Sequence, residues 1–229
     1  MRVSARLHAL ILDGSLPLGS RLREIPLAKS FDVARGTIRK ALFDLMHQGL
    51  VIQRPYTGWS VISMTQRDAW ELITLLGVLK SFSVRIAAEC IAGEKDSREL
   101  ERIFARLRKA PDKDVAASAA REMSLTSEIV AFTGHERLAR HFAIINDQFK
   151  VYAIYRSQKD SVDATLPAHI DALCQAILAG DAVRAEQLVE ERTRQELKRL
   201  QSTGEADAAP TGDDSDKAAS VSCEAIGEQ

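Results

Sequence analysis

Aromatic residues make up only 5% of this 229-residue chain, and its 3 cysteines are scattered. The shortage of aromatics beside 45% hydrophobic residues suits Ala/Leu-rich helices better than a β-sandwich. No apolar run approaches the roughly 20 residues that a membrane-spanning helix needs, and the charged N-terminus lacks the apolar core of a signal peptide. Cys90, Cys174 and Cys223 show no CxxC spacing, which argues against a disulfide framework or a zinc knuckle. There is no Gly-rich phosphate loop, no HExxH and no Ser or Cys nucleophile in a recognisable context, so nothing supports an enzyme. The expectation is a soluble, cytoplasmic, non-catalytic protein with no membrane partner.

The formal net charge of −1 hides an asymmetry along the chain. Residues 1–64 carry 9 Lys/Arg against 4 Asp/Glu, residues 65–202 carry 21 of each, and residues 203–229 carry 1 against 7. A basic excess confined to the first stretch is what phosphate neutralisation requires. The neutral middle stretch suits another task. The acidic last stretch has few apolar residues to offset the entropy of ordering it, and a disordered tail is expected there.

Within the basic stretch, Ile38, Ala41, Leu42, Leu45 and Met46 fall at i, i+3, i+4, i+7 and i+8, one face of an amphipathic helix. Arg35 and Arg39 stand one turn apart, off that stripe, with Thr37 beside them and Lys40 on the flank. A short helix opened by Pro26 and a tight turn at Asp32-Val33-Ala34 come before it. This reads as a helix-turn-helix whose second helix offers guanidinium forks to phosphates or guanine edges in a major groove. The competing reading is a helical hairpin with a solvated basic face. Val51-Ile52-Gln53 and Trp59-Ser60-Val61-Ile62 are β-prone runs around Arg54-Pro55-Tyr56-Thr57-Gly58, which makes a hairpin, or wing, directly after the helix.

From Thr65, a suitable helix cap, the pattern is helical almost without break. Helices are expected at about 69–91, 95–109, 114–132, 136–158 and 167–179, with a sixth opened by Gly180-Asp181 and running to about 200. Ala110-Pro111-Asp112, Thr133-Gly134 and the polar loop 157–165 separate them. The expected fold is mainly α: a winged helix-turn-helix at 1–64, an all-α helical bundle at 65–202, and the tail at 203–229.

The run from Ile11 to Glu24, then Leu27-Ala28, Val33, Arg35, Thr37, Arg39, Ala41-Leu42, Leu45, Gly49-Leu50-Val51 and Gly58, resembles the N-terminal domain of GntR-family bacterial transcription regulators over roughly 55 residues. The resemblance implies that Arg35, Thr37 and Arg39 read or grip DNA, with Arg54 and Gly58 in the wing, and Arg23, Gly36 and Lys40 join this DNA-binding set. Two positions depart from the family pattern. Ala34 replaces a capping Ser or Thr, and Gly36 replaces a larger polar residue; both point away from the family's usual operator.

Within the bundle, Ile86-Ala87-Ala88-Glu89, Gly134-His135-Glu136-Arg137-Leu138, Ala176-Ile177-Leu178-Ala179-Gly180-Asp181 and Ala185 are similar to the FCD domain, the ligand-sensing half of the FadR-like branch. Many FCD domains hold a divalent metal through an Asp, a His four residues on, and two further His. At those places this chain has Glu122, Thr126 and Arg192, while His169 falls one residue out of register, a turn of about 100° on a helix. Lys80 and Leu76 stand where the family often has Glu and Arg. An arginine repels a cation, so the expectation is no metal cofactor. The pocket set is Glu122, Thr126, Arg156, His169 and Arg192, with Arg192, Arg156 and His169 holding an organic acid. Arg192 reads equally well as a solvated residue in Glu190-Glu191-Arg192-Thr193-Arg194, and His135 and His141 as ordinary surface histidines. The expected function is a repressor that binds a palindromic operator as a homodimer and responds to a small acidic effector. The alternative is a ligand-independent DNA-binding protein whose helical domain only dimerises.

Overall fold

The structure, a computed structural model, describes residues 3–109, 115–157 and 163–204. The expected tail lies outside the described residues except for Thr203 and Gly204, which belong to the last helix. The Ala110-Pro111-Asp112 stop and most of the 157–165 loop lie outside them too. The chain divides into two compact units between Thr65 and Gln66.

In the first unit, α1 (Val3–Leu12), β1 (Arg21–Leu22), α2 (Glu24–Ser30) and α3 (Arg35–His47) lead into β2 (Val51–Arg54) and β3 (Gly58–Val61). Ile38, Ala41, Leu42 and Leu45 are buried on one face of α3, as their spacing predicts, and Leu7 and Ile11 of α1 join them in the core. Asp32 turns the chain from α2 to α3 at φ +51, a left-handed conformation that Asp tolerates. Helix α2 starts at Glu24, two residues before the Pro26 that was expected to open it. Pro26 still sits in the first turn, where its missing N–H costs nothing.

The wing hairpin pairs Val51 with Val61 and Arg54 with Gly58, and β1 adds to its far edge through Arg21 with Ser60 and Leu22 with Trp59. The sheet order is therefore β1-β3-β2. A two-residue strand shows no local periodicity, and β1 was not anticipated.

The second unit holds α4 (Gln66–Ala92), α5 (Arg98–Lys109), α6 (Val115–Thr133), α7 (Glu136–Ser157), α8 (Leu166–Leu178) and α9 (Ala182–Gly204). These are the six expected helices. Helix α5 begins three residues later than expected, because Glu94 turns left-handed at φ +64 and Asp96 Oδ1 accepts the Arg98 N–H. Helix α4 packs most extensively on α9. The close approach is at Gly77, where a built Cβ would lie 2.8 Å from Thr193 Oγ1 and Cγ2. Leu100, Phe104, Leu125, Ile129, Leu166, Ile170 and Ile177 fill the main core, and Leu76, Met123, Val130, Leu138 and Phe142 a second one. Among the described residues no helix is long and apolar enough to cross a membrane.

Candidate functional sites: an arginine face and a charged cavity

The face of α3 opposite its buried apolar stripe is open. Arg35, Gly36, Thr37, Arg39 and Lys40 are all exposed there, and Arg23 is exposed just before α2. A Cβ added at Gly36 would meet nothing within 4 Å, so its missing side chain leaves that face low. At the wing, Arg54 and Gly58 close the hairpin, Tyr56 stands fully exposed at its tip, and Gly58 has φ +79, which glycine adopts without strain.

The two arginines are not loose. Arg35 Nε donates to Glu24 Oε2 at 2.5 Å, and Arg39 donates through Nε to Oε1 and through Nη2 to Oε2, both at 2.9 Å. Trp59 Nε1, from β3, adds a bond of 3.2 Å to Oε1. The Arg39 hydrogen bonds, opposed by partial burial and aided by Arg35 and Trp59, bring the Glu24 pKa down to about 2. Sequence reasoning passed over Glu24 and Trp59. Their partners lie 11 to 35 residues away, beyond any helical or strand period.

In the second unit, a cavity of about 100 Å³ opens among α4, α6, α7, α8 and α9. Glu122, Thr126, Arg156, His169 and Arg192 all line it, together with Lys80, Asp163, Glu196 and Arg199, which were not foreseen as lining residues. His169 reaches the lining despite the register offset assigned to it. Arg192 is buried, at 8% exposure, which overturns the solvated reading.

Arg192 Nη2 pairs with Glu196 at 3.1 Å and Glu122 at 3.4 Å, and Nη1 pairs with Asp163. Lys80 Nζ donates to the other oxygen of Glu122 at 2.8 Å. Arg199 bonds Asp163 at 2.6 Å and Glu196 at 3.0 Å. Burial pushes the Glu122 pKa up most strongly, but Lys80 and Arg192 together overcome it and leave it at about 2. Asp163 is likewise held well below the usual carboxylate range, by Thr165, Arg192 and Arg199 against burial. His169 is lowered by burial first, then by Arg192 and Lys80, against the pull of Glu122. The ionised groups of the wall therefore nearly balance.

Arg156 donates through Nη1 to the Tyr152 hydroxyl at 3.3 Å, with its guanidinium 5.8 Å from that ring's centre. Two buried donors on lining residues, Arg192 Nε and Ser118 Oγ, have no hydrogen-bond partner among the described residues.

The residues present do not fit the divalent metal that the FCD resemblance implies. Glu122 is already engaged by two cations, and the Thr126 hydroxyl donates to its own helix at the Glu122 carbonyl, 3.0 Å away. His169 is the one imidazole in the lining, and Arg192 brings positive charge into the same wall. Among the described residues no three His, Cys, Asp or Glu side chains are grouped to hold a metal ion.

Residues 1–61 match the family described as bacterial regulatory proteins, gntR family, and residues 71–195 match the FCD domain. An uncharacterised HTH-type transcriptional regulator of Bacillus subtilis, YdhC, is 34% identical over 95 residues, which span 42% of this chain and 41% of that protein. A protein of Paenarthrobacter nicotinovorans named "Probable D-xylose utilization operon transcriptional repressor" is 24% identical over 177 residues, 77% of each chain. The solved structure of E. coli McbR/YncC superposes with a TM-score of 0.69 at 20% identity, over 88% of this chain and 96% of that one.

Proposed function

Because the chain belongs to the GntR family of transcription regulators, in the branch that carries an FCD domain, we propose that it is a repressor that binds a palindromic operator as a homodimer and responds to a small organic acid. The DNA face is α3 and the wing: Arg35, Thr37 and Arg39 read or grip the duplex, supported by Gly36, Lys40, Arg23, Arg54 and Gly58. A single winged domain touches too little DNA for operator specificity, whereas two related by a dyad read both half-sites. Self-association through the bundle is supported by Leu75 and Val78 of α4, which are 47% and 66% exposed and stand three residues apart on one face of that helix.

The observation that carries the effector reading is the pair of unpartnered buried donors, Arg192 Nε and Ser118 Oγ, on residues lining a cavity walled by ionised groups. A carboxylate supplies the kind of acceptor that each of these donors lacks. The effector is held by direct side-chain contacts, with no resident metal.

The near balance of charge in the wall favours a second reading, in which the bundle is ligand-blind and only dimerises. A thermal-shift series with small mono-, di- and tricarboxylates separates the two. A saturable rise in melting temperature, absent in Ser118→Ala, supports the effector reading, and no shift with any acid rejects it.

A further inference from the structure

We propose that Glu24 is a positioning residue for DNA readout, holding Arg35 and Arg39 in the orientation in which they meet the bases. This rests on the assignment of those arginines as DNA-reading residues. Glu24 sits at the start of α2 with its side chain 12% exposed, while the arginine side chains it grips are 58% and 49% exposed. One carboxylate thus ties three elements together: α2 that carries it, α3 through both arginines, and β3 through Trp59.

The edges it uses matter. Glu24 takes Nε of Arg35 and the Nε/Nη2 edge of Arg39. That leaves Arg35 Nη1 and Nη2, Arg39 Nη1 and the second N–H of Arg39 Nη2 available. A guanine presents O6 and N7 to just such a terminal fork. Glu24 therefore holds each arginine by its inner edge and leaves its end for a base.

Two consequences pull in opposite directions on two kinds of DNA. Ordering the arginines beforehand spares binding the loss of rotamer freedom, and only correct base contacts benefit. The carboxylate also cancels one positive charge on this face, which weakens attraction to phosphate on any sequence. Glu24 raises discrimination and lowers indiscriminate affinity at once. A residue that merely stabilised the fold would move both affinities the same way.

The test uses the full chain and two probes: a duplex selected by the wild-type protein from a pool with about 20 randomised base pairs, and an unrelated duplex of equal length. Glu24→Ala is expected to cut the ratio of the two affinities by about tenfold, with affinity for the unrelated duplex unchanged or higher and its salt dependence as steep or steeper. Glu24→Gln keeps the shape and one acceptor oxygen, and falls between wild type and Ala. Circular dichroism and melting temperature establish that both variants are folded. If Glu24→Gln matches wild type in the ratio, or if Glu24→Ala weakens both duplexes equally, the proposal is overturned. Arg35→Ala and Arg39→Ala keep the two ideas apart. Loss of the ratio in these but not in Glu24→Ala overturns the positioning role alone, and no loss in any of the three overturns the assignment of α3 and the proposal with it.

Discussion

At Arg192 a single buried guanidinium meets three carboxylates, Glu122, Asp163 and Glu196. Without it, Glu122 keeps Lys80 while Asp163 and Glu196 share Arg199, so the cluster loses part of its compensation. The cost falls below the roughly 3–5 kcal/mol of a fully orphaned buried charge, to about 1–3 kcal/mol. Arg192→Ala is therefore expected to lower the stability of the second unit by that amount, read by urea denaturation, whatever it does to effector binding. For that reason Ser118 is the better probe of the effector. His169 gives a pH signature. Burial holds its folded pKa below the ordinary value near 6.5, so the unfolded chain takes up the proton first. The stability from this residue is whole above about pH 6.5 and declines on acidification by up to about 1.4 kcal/mol per pH unit, until the folded imidazole also titrates. Melting temperatures from pH 7.5 to 5 should show this slope in wild type and a flatter one in His169→Gln. An identical slope in both would contradict it.

At the scale of elements, the contact between α4 and α9 decides how the bundle closes. Gly77 lets the two helices approach until Thr193 occupies the space a side chain would need. Gly77→Val would force Thr193 or the helix axis aside, and overpacking of this kind costs about 1–3 kcal/mol. A shift in the denaturation midpoint at constant slope would confirm it, and a midpoint within error of wild type would show that the helices give way freely. Gly180 makes a similar demand where α8 turns into α9, with φ +71 and a built Cβ 3.0 Å from Ala92. In the first unit, Trp59 lies edge-on to Phe43 of α3 with ring centres 4.9 Å apart, while its Nε1 reaches Glu24 of α2. The wing strand is thereby fastened to both helices of the helix-turn-helix.

For the whole molecule, the division of labour follows the charge: a basic winged unit, and a nearly neutral bundle with its own core and cavity. If the proposed homodimer forms through the bundle, light scattering at micromolar concentration should give twice the chain mass. Replacing Leu75 and Val78 by Glu should return the protein to monomer without lowering its helix content, because both side chains are exposed. A dimer that survives the pair of changes places the interface elsewhere.

Local sequence determined the helices and the wing of this protein, because hydrophobic period, turn glycines and caps act over a few residues. The stripe from Ile38 to Leu45 and the six bundle helices were legible for that reason. The resemblance also led to the wall of the cavity: all five expected residues line it. Tertiary structure alone decided what those residues touch. Glu24 meets Arg39 across 15 residues of sequence, and Glu122 meets Arg192 across 70. No period spans such distances. Arg192 in its charge-rich run looked as much a surface residue as a buried one, since burial depends on which helix lies opposite. The pairing of Lys80 with Glu122 and of Asp163 with Arg192 was not legible for the same reason: a charge has a partner only once the fold has placed one within reach.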